Sequence, residues 1–302
     1  MKIMRLKLRE ISAPILFTFT SLAIAACDDR SRQTAPIPRD PLEQDSTKLP
    51  EPPATQPGQD TVTLPNMPVE LYGRFRMQWA PTDYREVFYE AKGLPVRIIQ
   101  ENQYVQGSDI TRKTTYDFVY DAQARLIQLK LDNGAYVKYY YEGSKLIETR
   151  EHAKDNLLLI TSTYAYAGDK ITQIYRVNSF KKVETQFRLL YDQRGNLIEY
   201  REYAKNKNNG LFDTYSSTKY SGYDNKRNVE NLWMVYPFLP GYSFASNNAG
   251  VIRFYFFDGN VEKEVRGRKT ITYEYLENGY PSRKAERGSS GSLETTYSYK
   301  GL

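Results

Sequence analysis

The sequence of 302 residues has one cysteine and one histidine. A lone cysteine can form neither an intramolecular disulfide nor a Cys₄ zinc site. His152, the single histidine, lies in a turn-like stretch, REHAKDN, where neither a histidine-rich metal site nor a Ser-His-Asp triad is expected. Ser216 and Lys219 form an S-x-x-K pattern without its companion motifs. We therefore predict no metal, no cofactor and no catalytic residue.

A concentrated basic region is also lacking. The net charge is +6, and residues 69–302 hold 34 Lys or Arg against 28 Asp or Glu, interspersed along the chain. A nucleic-acid-binding protein is expected to have a basic face or stripe. We therefore predict no nucleic-acid partner.

No apolar run is long enough for an ordinary membrane-spanning helix. The longest, Ile11 to Ala26, is interrupted by Pro14 and ends in small residues. A short basic segment precedes it, formed by Lys2, Arg5, Lys7 and Arg9. This order is typical of a secretory signal peptide, so residues 1–26 are predicted to be removed.

The only cysteine follows this run directly. Ile24-Ala25-Ala26-Cys27 resembles the lipobox of bacterial lipoproteins, and the resemblance implies cleavage before Cys27 and attachment of acyl chains such as palmitate to it. A free thiol in an ordinary signal peptide is the alternative. Asp28-Asp29 is similar to surface-export signals in lipoproteins of Bacteroidota, whereas in other bacteria aspartate there is associated with inner-membrane retention. We expect an outer-membrane lipid anchor, facing the periplasm or the cell surface.

Residues 27–68 are predicted to form a disordered linker behind the lipidated cysteine. Nine of the fifteen prolines lie between Pro36 and Pro68, with no aromatic residue among them. Such a composition cannot bury enough apolar surface to fold.

Residues 69–302 contain all 27 tyrosines and a repeated pattern. Each copy has a tyrosine that ends an alternating run, then a polar turn, then an apolar residue, as in YDAQARLIQL from Tyr120 and YDQRGNLIEY from Tyr191. This pattern predicts β-hairpins, with 12 to 16 sequential antiparallel strands and almost no helix. Asn133-Gly134 predicts a two-residue type I′ turn. Ala124 and Arg227 replace the turn glycine, so their turns are expected to differ.

Two resemblances follow from these repeats. YDQRGNLIEY is similar to the YD repeat of Rhs-type shell proteins. The lipobox, the linker, the tyrosine turns and the ending TYEYLENGYPSRK (Thr272 to Lys284) resemble a Bacteroidota lipoprotein family of unknown function with a porin-like fold. The resemblance implies a fold and no activity.

The strands carry charges on both faces. Glu199 and Arg201 lie on one face of their strand and Glu202 on the other; Glu148 and Glu151 are divided in the same way. No continuous apolar belt for lipid remains. The prediction is a water-soluble barrel or strongly curved sheet in which most tyrosines pack in the core.

One segment, residues 231–250, breaks the repeat. It has five aromatic residues around two prolines and a glycine, which exclude a regular central strand from its middle. An aromatic loop on a rigid scaffold can stack on sugars or dock a partner. The interpretation that we favour, however, is that the segment folds over a barrel end and plugs the core. The candidate ligand-binding residues are Trp233, Tyr236, Phe238, Tyr242 and Phe244.

The sequence therefore favours a non-enzymatic binding or interaction module on the bacterial envelope, held to the membrane through Cys27 and specific for a glycan or an envelope protein. Two alternatives remain open. One is a hydrolase that uses a pair of carboxylates, which sequence alone cannot place in a cleft. The other is a purely structural envelope component.

Overall fold

The computed structural model describes residues 73–90, 93–103, 110–259, 261–289 and 291–301. The predicted signal peptide, Cys27 and the predicted linker lie outside these residues, so lipidation and the boundary at residue 69 stay predictions. No helix among the described residues is long and apolar enough to cross a membrane.

Sixteen antiparallel strands form a closed barrel. Each strand pairs with its neighbours in sequence, and β1 closes the barrel on β16. The predicted sequential all-β meander of 12 to 16 strands is confirmed. The strands are β1 (Arg74–Gln78), β2 (Tyr84–Tyr89), β3 (Pro95–Gln103), β4 (Thr111–Tyr120), β5 (Leu126–Leu131), β6 (Tyr136–Glu142), β7 (Lys145–His152), β8 (Leu158–Ala167), β9 (Lys170–Asn178), β10 (Val183–Tyr191), β11 (Leu197–Lys205), β12 (Phe212–Ser221), β13 (Val251–Asp258), β14 (Val261–Tyr275), β15 (Pro281–Gly288) and β16 (Gly291–Lys300).

The repeated tyrosines lie together at one end of the barrel, which we call the tyrosine end. Connections that follow even-numbered strands lie at this end, and those that follow odd-numbered strands lie at the opposite end. The tyrosine at or next to the end of an even strand pairs, beside a β-bulge, with the first or second residue of the next strand, as Tyr191 does with Leu197. The same register shift recurs at five other hairpins, at Tyr89, Tyr120, Tyr141, Tyr166 and Tyr275.

Six of the tyrosine hydroxyls at this end make the same hydrogen bond. Each donates to the backbone carbonyl of the first or second residue of the odd-numbered strand that precedes it; Tyr191 to Ile171, for example, measures 2.8 Å. A buried carbonyl needs a donor, and the phenol supplies it. The other five pairs are Tyr120 with Pro95, Tyr141 with Leu126, Tyr166 with Leu146, Tyr223 with Leu197 and Tyr299 with Pro281.

Two turn predictions were wrong. Ala124 adopts the left-handed conformation itself, at φ 61°, and Asp121 bonds to Arg125 as Asp192 does to Asn196 in the glycine-containing copy. The connection at Gly134 is not a type I′ turn: only the glycine has positive φ, and Leu131 pairs with Ala135 around a three-residue loop. The prediction for Arg227 was right, because its copy opens a long connection instead of a hairpin.

The interior holds one apolar cluster to which most strands contribute. It includes fully buried side chains such as Phe75, Ile98, Leu129 and Phe187. Directly paired residues on neighbouring strands share a face, so these residues identify which side of each strand faces inward.

Candidate functional site

The connection between β12 and β13, residues 222–250, folds into the barrel from the tyrosine end; we call it the plug. Its apolar side chains belong to the same cluster as the strands. The most buried of them are Leu232, Trp233, Val235, Phe238, Leu239 and Phe244. Its only regular element is a 3₁₀ turn at Asn231–Trp233.

Three backbone carbonyls and one side-chain hydroxyl of the plug are bonded to four different strands. Tyr139 Oη donates to the Phe238 carbonyl at 3.0 Å, and the Leu197 N–H donates to the Phe244 carbonyl at 2.8 Å. Two further bonds join Leu146 N–H to Tyr242 Oη at 2.8 Å and Lys170 Nζ to the Ser243 carbonyl at 2.7 Å. Polar backbone brought into an apolar interior is therefore satisfied by the wall around it.

An ion pair fixes the start of the plug. Glu230 binds Lys284 Nζ at 2.7 Å and accepts a hydrogen bond from Tyr297 Oη. Lys284 also contacts Glu286, which in turn binds Lys269, both at 3.1 Å. Burial and then Glu230 raise the pKa of Tyr297 well above its ordinary value. This chain of alternating charges balances the carboxylates on that side of the interior.

The half of the interior toward the opposite end is more polar; we call it the chamber. The cross-strand row Phe187, Glu202, Ser216 and Phe256 starts at a core phenylalanine, so Glu202 and Ser216 face inward. Phe256, on the same face, is 42% exposed. The interior is therefore open to solvent at this end.

The β13–β14 hairpin forms one side of the chamber mouth. β14 pairs with β15 only from Thr270 onward, whereas its earlier part, from Val261, pairs with β13. The hairpin therefore extends beyond β15. Val265, on its inner face opposite Phe254, remains 38% exposed.

Two carboxyl groups flank one arginine in the chamber. Arg176 binds Glu151 at 2.6 Å, and their side chains are only 9% and 12% exposed. Burial raises the pKa of Glu151 above its ordinary value, against the attraction of Arg176. Burial also raises the pKa of Glu202, while the hydrogen bond from Ser216 and the charge of Arg176 oppose the change. Charged groups held at this cost are typical of functional sites as well as of structural ion pairs.

The five predicted aromatic residues are divided by the structure. Trp233, Phe238 and Phe244 are buried, at 9%, 7% and 2% exposure. Tyr242 is half-buried at the tyrosine end, with its hydroxyl bonded to the wall. Tyr236 is half-buried, and burial followed by the charge of Glu151 raises its pKa well above the ordinary value. Two of the five therefore lie near charged groups of the chamber, Tyr236 near Glu151 and Trp233 near Arg85. A binding role for the set stays a prediction.

Aromatic side chains of the plug connect the parts of the chamber. The Phe238 ring makes edge contacts with Tyr116, Trp233 and Tyr236, at centroid distances of 5.2, 5.3 and 5.4 Å. The segment that breaks the repeat therefore forms both part of the core and the floor of the chamber.

The two residues of the S-x-x-K pattern lie on opposite faces of β12. Ser216 faces inward, whereas Lys219 lies on the outer face and binds Glu262 at 2.7 Å. His152 stacks on Tyr136, with ring centroids 4.7 Å apart. No group of three or more His, Cys, Asp or Glu side chains that could hold a metal occurs among the described residues.

Glu151, Arg176 and Glu202 were not predicted as site residues. Sequence alternation correctly placed Glu151 and Glu202 on the face opposite their charged neighbours, but it did not show that this face is the interior. One signal identifies these three residues: each is a charged residue at an inward position of a strand whose other inward residues are mostly apolar.

Comparison with known proteins supports the fold. No protein-family model matches the chain, and no curated protein does. Among solved structures, a porin-like protein from Bacteroides uniformis superposes with a TM-score of 0.53 at 12% identity, over 76% of this chain and 98% of that one. The barrel has a porin-like fold. A second porin-like protein, from Bacteroides vulgatus, gives a TM-score of 0.46 at 13% identity over 68% of this chain and 98% of that one.

The resemblance to Bacteroidota porin-like proteins predicted from the tyrosine turns is thereby confirmed for the fold. A Photorhabdus luminescens Tc holotoxin pore structure also matches, with a TM-score of 0.21 and 13% identity, over 71% of this chain and 12% of that one.

Proposed function

We propose that this chain is a binding module of the bacterial envelope, held to the membrane by acyl chains on Cys27, and that its ligand enters the chamber at the end opposite the tyrosine turns. The observation that carries the proposal is the composition of the chamber. Glu151, Arg176 and Glu202 lie together inside the barrel, on a side that solvent reaches.

A glycan is the ligand class that this chemistry favours. Carboxylate and guanidinium groups orient hydroxyl groups by charge-assisted hydrogen bonds, and aromatic rings provide apolar contact. Tyr236 supplies such a ring near Glu151, and Phe256 supplies one on the same inward face as Glu202, with Ser216 between them. An envelope protein that inserts a polar loop is the second possibility within the same proposal.

Binding to a glycan array tests the proposal, with the purified mature chain as the probe. We expect saturable binding that Glu151→Gln weakens by about tenfold or more, because a charged hydrogen-bonding partner is lost. Glu148→Gln is the matched control: Glu148 is on the same strand but faces outward, paired with Arg150. Equal binding by both variants, or no binding by the unmodified chain, contradicts a glycan site in the chamber.

The anchor is tested separately. Cys27→Ala is expected to release the protein from the membrane fraction and to prevent labelling by a palmitate analogue. A variant that still sediments with membranes contradicts lipid attachment as the means of retention.

The raised pKa values of Glu151 and Glu202 favour one alternative, a carboxylate-dependent hydrolase. A carboxyl group with a raised pKa keeps its proton to higher pH than an ordinary one, as a general acid must. Incubating bound glycans with the protein and analysing their length distinguishes the two functions. Shortened products that disappear in Glu202→Gln support the hydrolase; glycans recovered intact support the binding module.

A further inference from the structure

Both tryptophans of the chain lie beside one arginine. Arg85, the second residue of β2, has its guanidinium carbon 4.5 Å from the Trp233 ring centroid and 5.7 Å from that of Trp79. Arg85 pairs across the strands with the buried residues Met77 and Gln100, so it points into the barrel. Trp79 begins the β1–β2 connection at the opposite end, where the chamber opens.

Among the described residues, no carboxylate lies within hydrogen-bonding distance of Arg85. Its Nε donates to Gln100 Oε1 at 3.0 Å, and among the described residues its two Nη nitrogens make no hydrogen bond or ion pair. Glu230 attracts it from a distance, but both Glu230 oxygens bind Lys284, at 2.7 and 3.0 Å. Burial, opposed by Glu230 and Tyr116, lowers the pKa of Arg85 to about 10, so at neutral pH the guanidinium stays charged.

The indole groups add to this excess of donors. Nε1 of Trp79 and Nε1 of Trp233 are both buried and have no acceptor in the described part of the chain. Trp233 as a whole is only 9% exposed. Buried charges are normally paired and buried donors normally bonded, because an unmatched group loses its hydration without compensation. The two indole N–H groups and the Nη nitrogens of Arg85 therefore leave donors available to an acceptor from outside the fold.

We propose that Arg85, between Trp79 and Trp233, binds an oxyanion of the ligand, so that the chamber takes acidic molecules. The proposal deepens the binding function above and rests on it. A guanidinium presents two parallel N–H groups that match a carboxylate or a phosphate. The Trp233 ring continues into Phe238 and Tyr236, so the rest of a ligand held at Arg85 lies against the aromatic floor.

Because both tryptophans lie beside Arg85, their fluorescence can report ligand binding at this site. Tryptophan fluorescence of the mature chain is recorded during titration with galacturonate, with galactose as the neutral counterpart, and with inorganic phosphate. We expect a saturable change with galacturonate, phosphate or both, and none with galactose at equal concentration. A response to galacturonate identifies carboxylate as the recognised group, and a response to phosphate alone identifies phosphate. No response to either anion, or an equal response to galactose, overturns the proposal.

Variants separate binding from stability. Arg85→Gln is expected to weaken anion binding by about tenfold or more, because its charge-assisted bonds are lost. The control is Arg188→Gln, which removes an arginine that lies over Tyr203 on the outer face. The melting temperature of Arg85→Gln should stay equal or rise, since the variant removes an unpaired buried charge. A fall of several degrees together with unchanged anion binding assigns Arg85 to the scaffold and overturns the proposal.

These experiments distinguish failure of the anion site from failure of the binding function proposed above. If a neutral glycan binds and depends on Glu151 but not on Arg85, the binding module stands and the anion site is wrong. If galacturonate binding depends on Arg85 and no glycan depends on Glu151, the anion site stands and the proposed role of Glu151 is wrong.

Discussion

The two halves of the barrel interior have the same strands around them but different contents. Near the tyrosine end, the plug fills the space with apolar side chains, and phenol hydroxyls satisfy inward-facing carbonyls. Toward the opposite end, the same strands place Arg85, Glu151, Arg176 and Glu202 inside, and solvent reaches the mouth. One half is built for stability and the other keeps costly charges, which is the division expected between a scaffold and a site.

The difference arises within single strands. In β9, Ile171 and Ile174 face the packed half, whereas Arg176, two residues later on the same inward face, enters the chamber. The hairpin repeat therefore determines the wall of the barrel, and the side chain at one inward position of each strand determines the chemistry of the chamber. Substitutions in the packed half should therefore affect mainly stability, whereas substitutions in the chamber should affect mainly ligand binding.

The largest effect is expected from the plug. Phe244→Ala should lower the free energy of unfolding by about 4 kcal/mol, because it leaves a cavity around a side chain that is 2% exposed. Denaturant unfolding of the mature chain measures this. The control is Phe180→Ala, at a side chain 74% exposed, with an expected change within about 0.5 kcal/mol. Similar small changes for both would show that the plug does not pack as described.

A smaller effect is expected from one repeated hydrogen bond. Tyr191→Phe removes the hydroxyl that donates to the Ile171 carbonyl and leaves that acceptor buried, which should cost about 1–2 kcal/mol. Tyr140→Phe is the matched control, since Tyr140 lies on the outer face under Arg150. If the two substitutions have equal effects in thermal unfolding, the tyrosine–carbonyl bonds do not stabilise the barrel.

Replacement of Glu202 should stabilise the protein at neutral pH, in contrast to the two substitutions above. Its folded pKa lies above the unfolded one, so the folded state is penalised once the carboxyl ionises: full stability is present below about pH 4.5 and is lost as the pH rises through the folded pKa. Glu202→Gln should therefore be more stable than the unmodified protein at pH 7, with the gain vanishing at pH 4. Melting temperatures of both proteins at pH 4 and 7 measure the difference. A variant that loses stability at pH 7 would place Glu202 in the scaffold.

The scaffold could be predicted from the sequence much further than the site. Tyrosine position, alternation and turn residues are local signals, and they predicted the number and order of the strands and the hairpin ends. The plug's five aromatic residues were also found, because they break the repeat. That the segment plugs the core was the favoured interpretation, but which of its rings are buried and which lie beside charged groups could not be predicted, since this depends on closure of β1 on β16 across the whole domain. The contact of Arg85 with Trp233 joins residues about 150 positions apart, which no local pattern contains.

The smallest predicted effect concerns the turn at Ala124, which lacks the glycine of the other copies and was expected to differ from them. Ala124 holds the φ of 61° that glycine holds at the corresponding position of the Asp192 turn, Gly195 at 79°. A side chain in this region strains the backbone, whereas glycine adopts it freely but loses more entropy on folding. The two effects oppose each other, and Ala124→Gly should stabilise by about 0.5 kcal/mol. Ala122→Gly, in the same turn at negative φ, is the control and should destabilise slightly, because only the entropy term remains. Thermal unfolding of both variants decides the matter: equal losses of stability would mean that the turn at Ala124 relaxes to a different conformation, as the missing glycine first suggested.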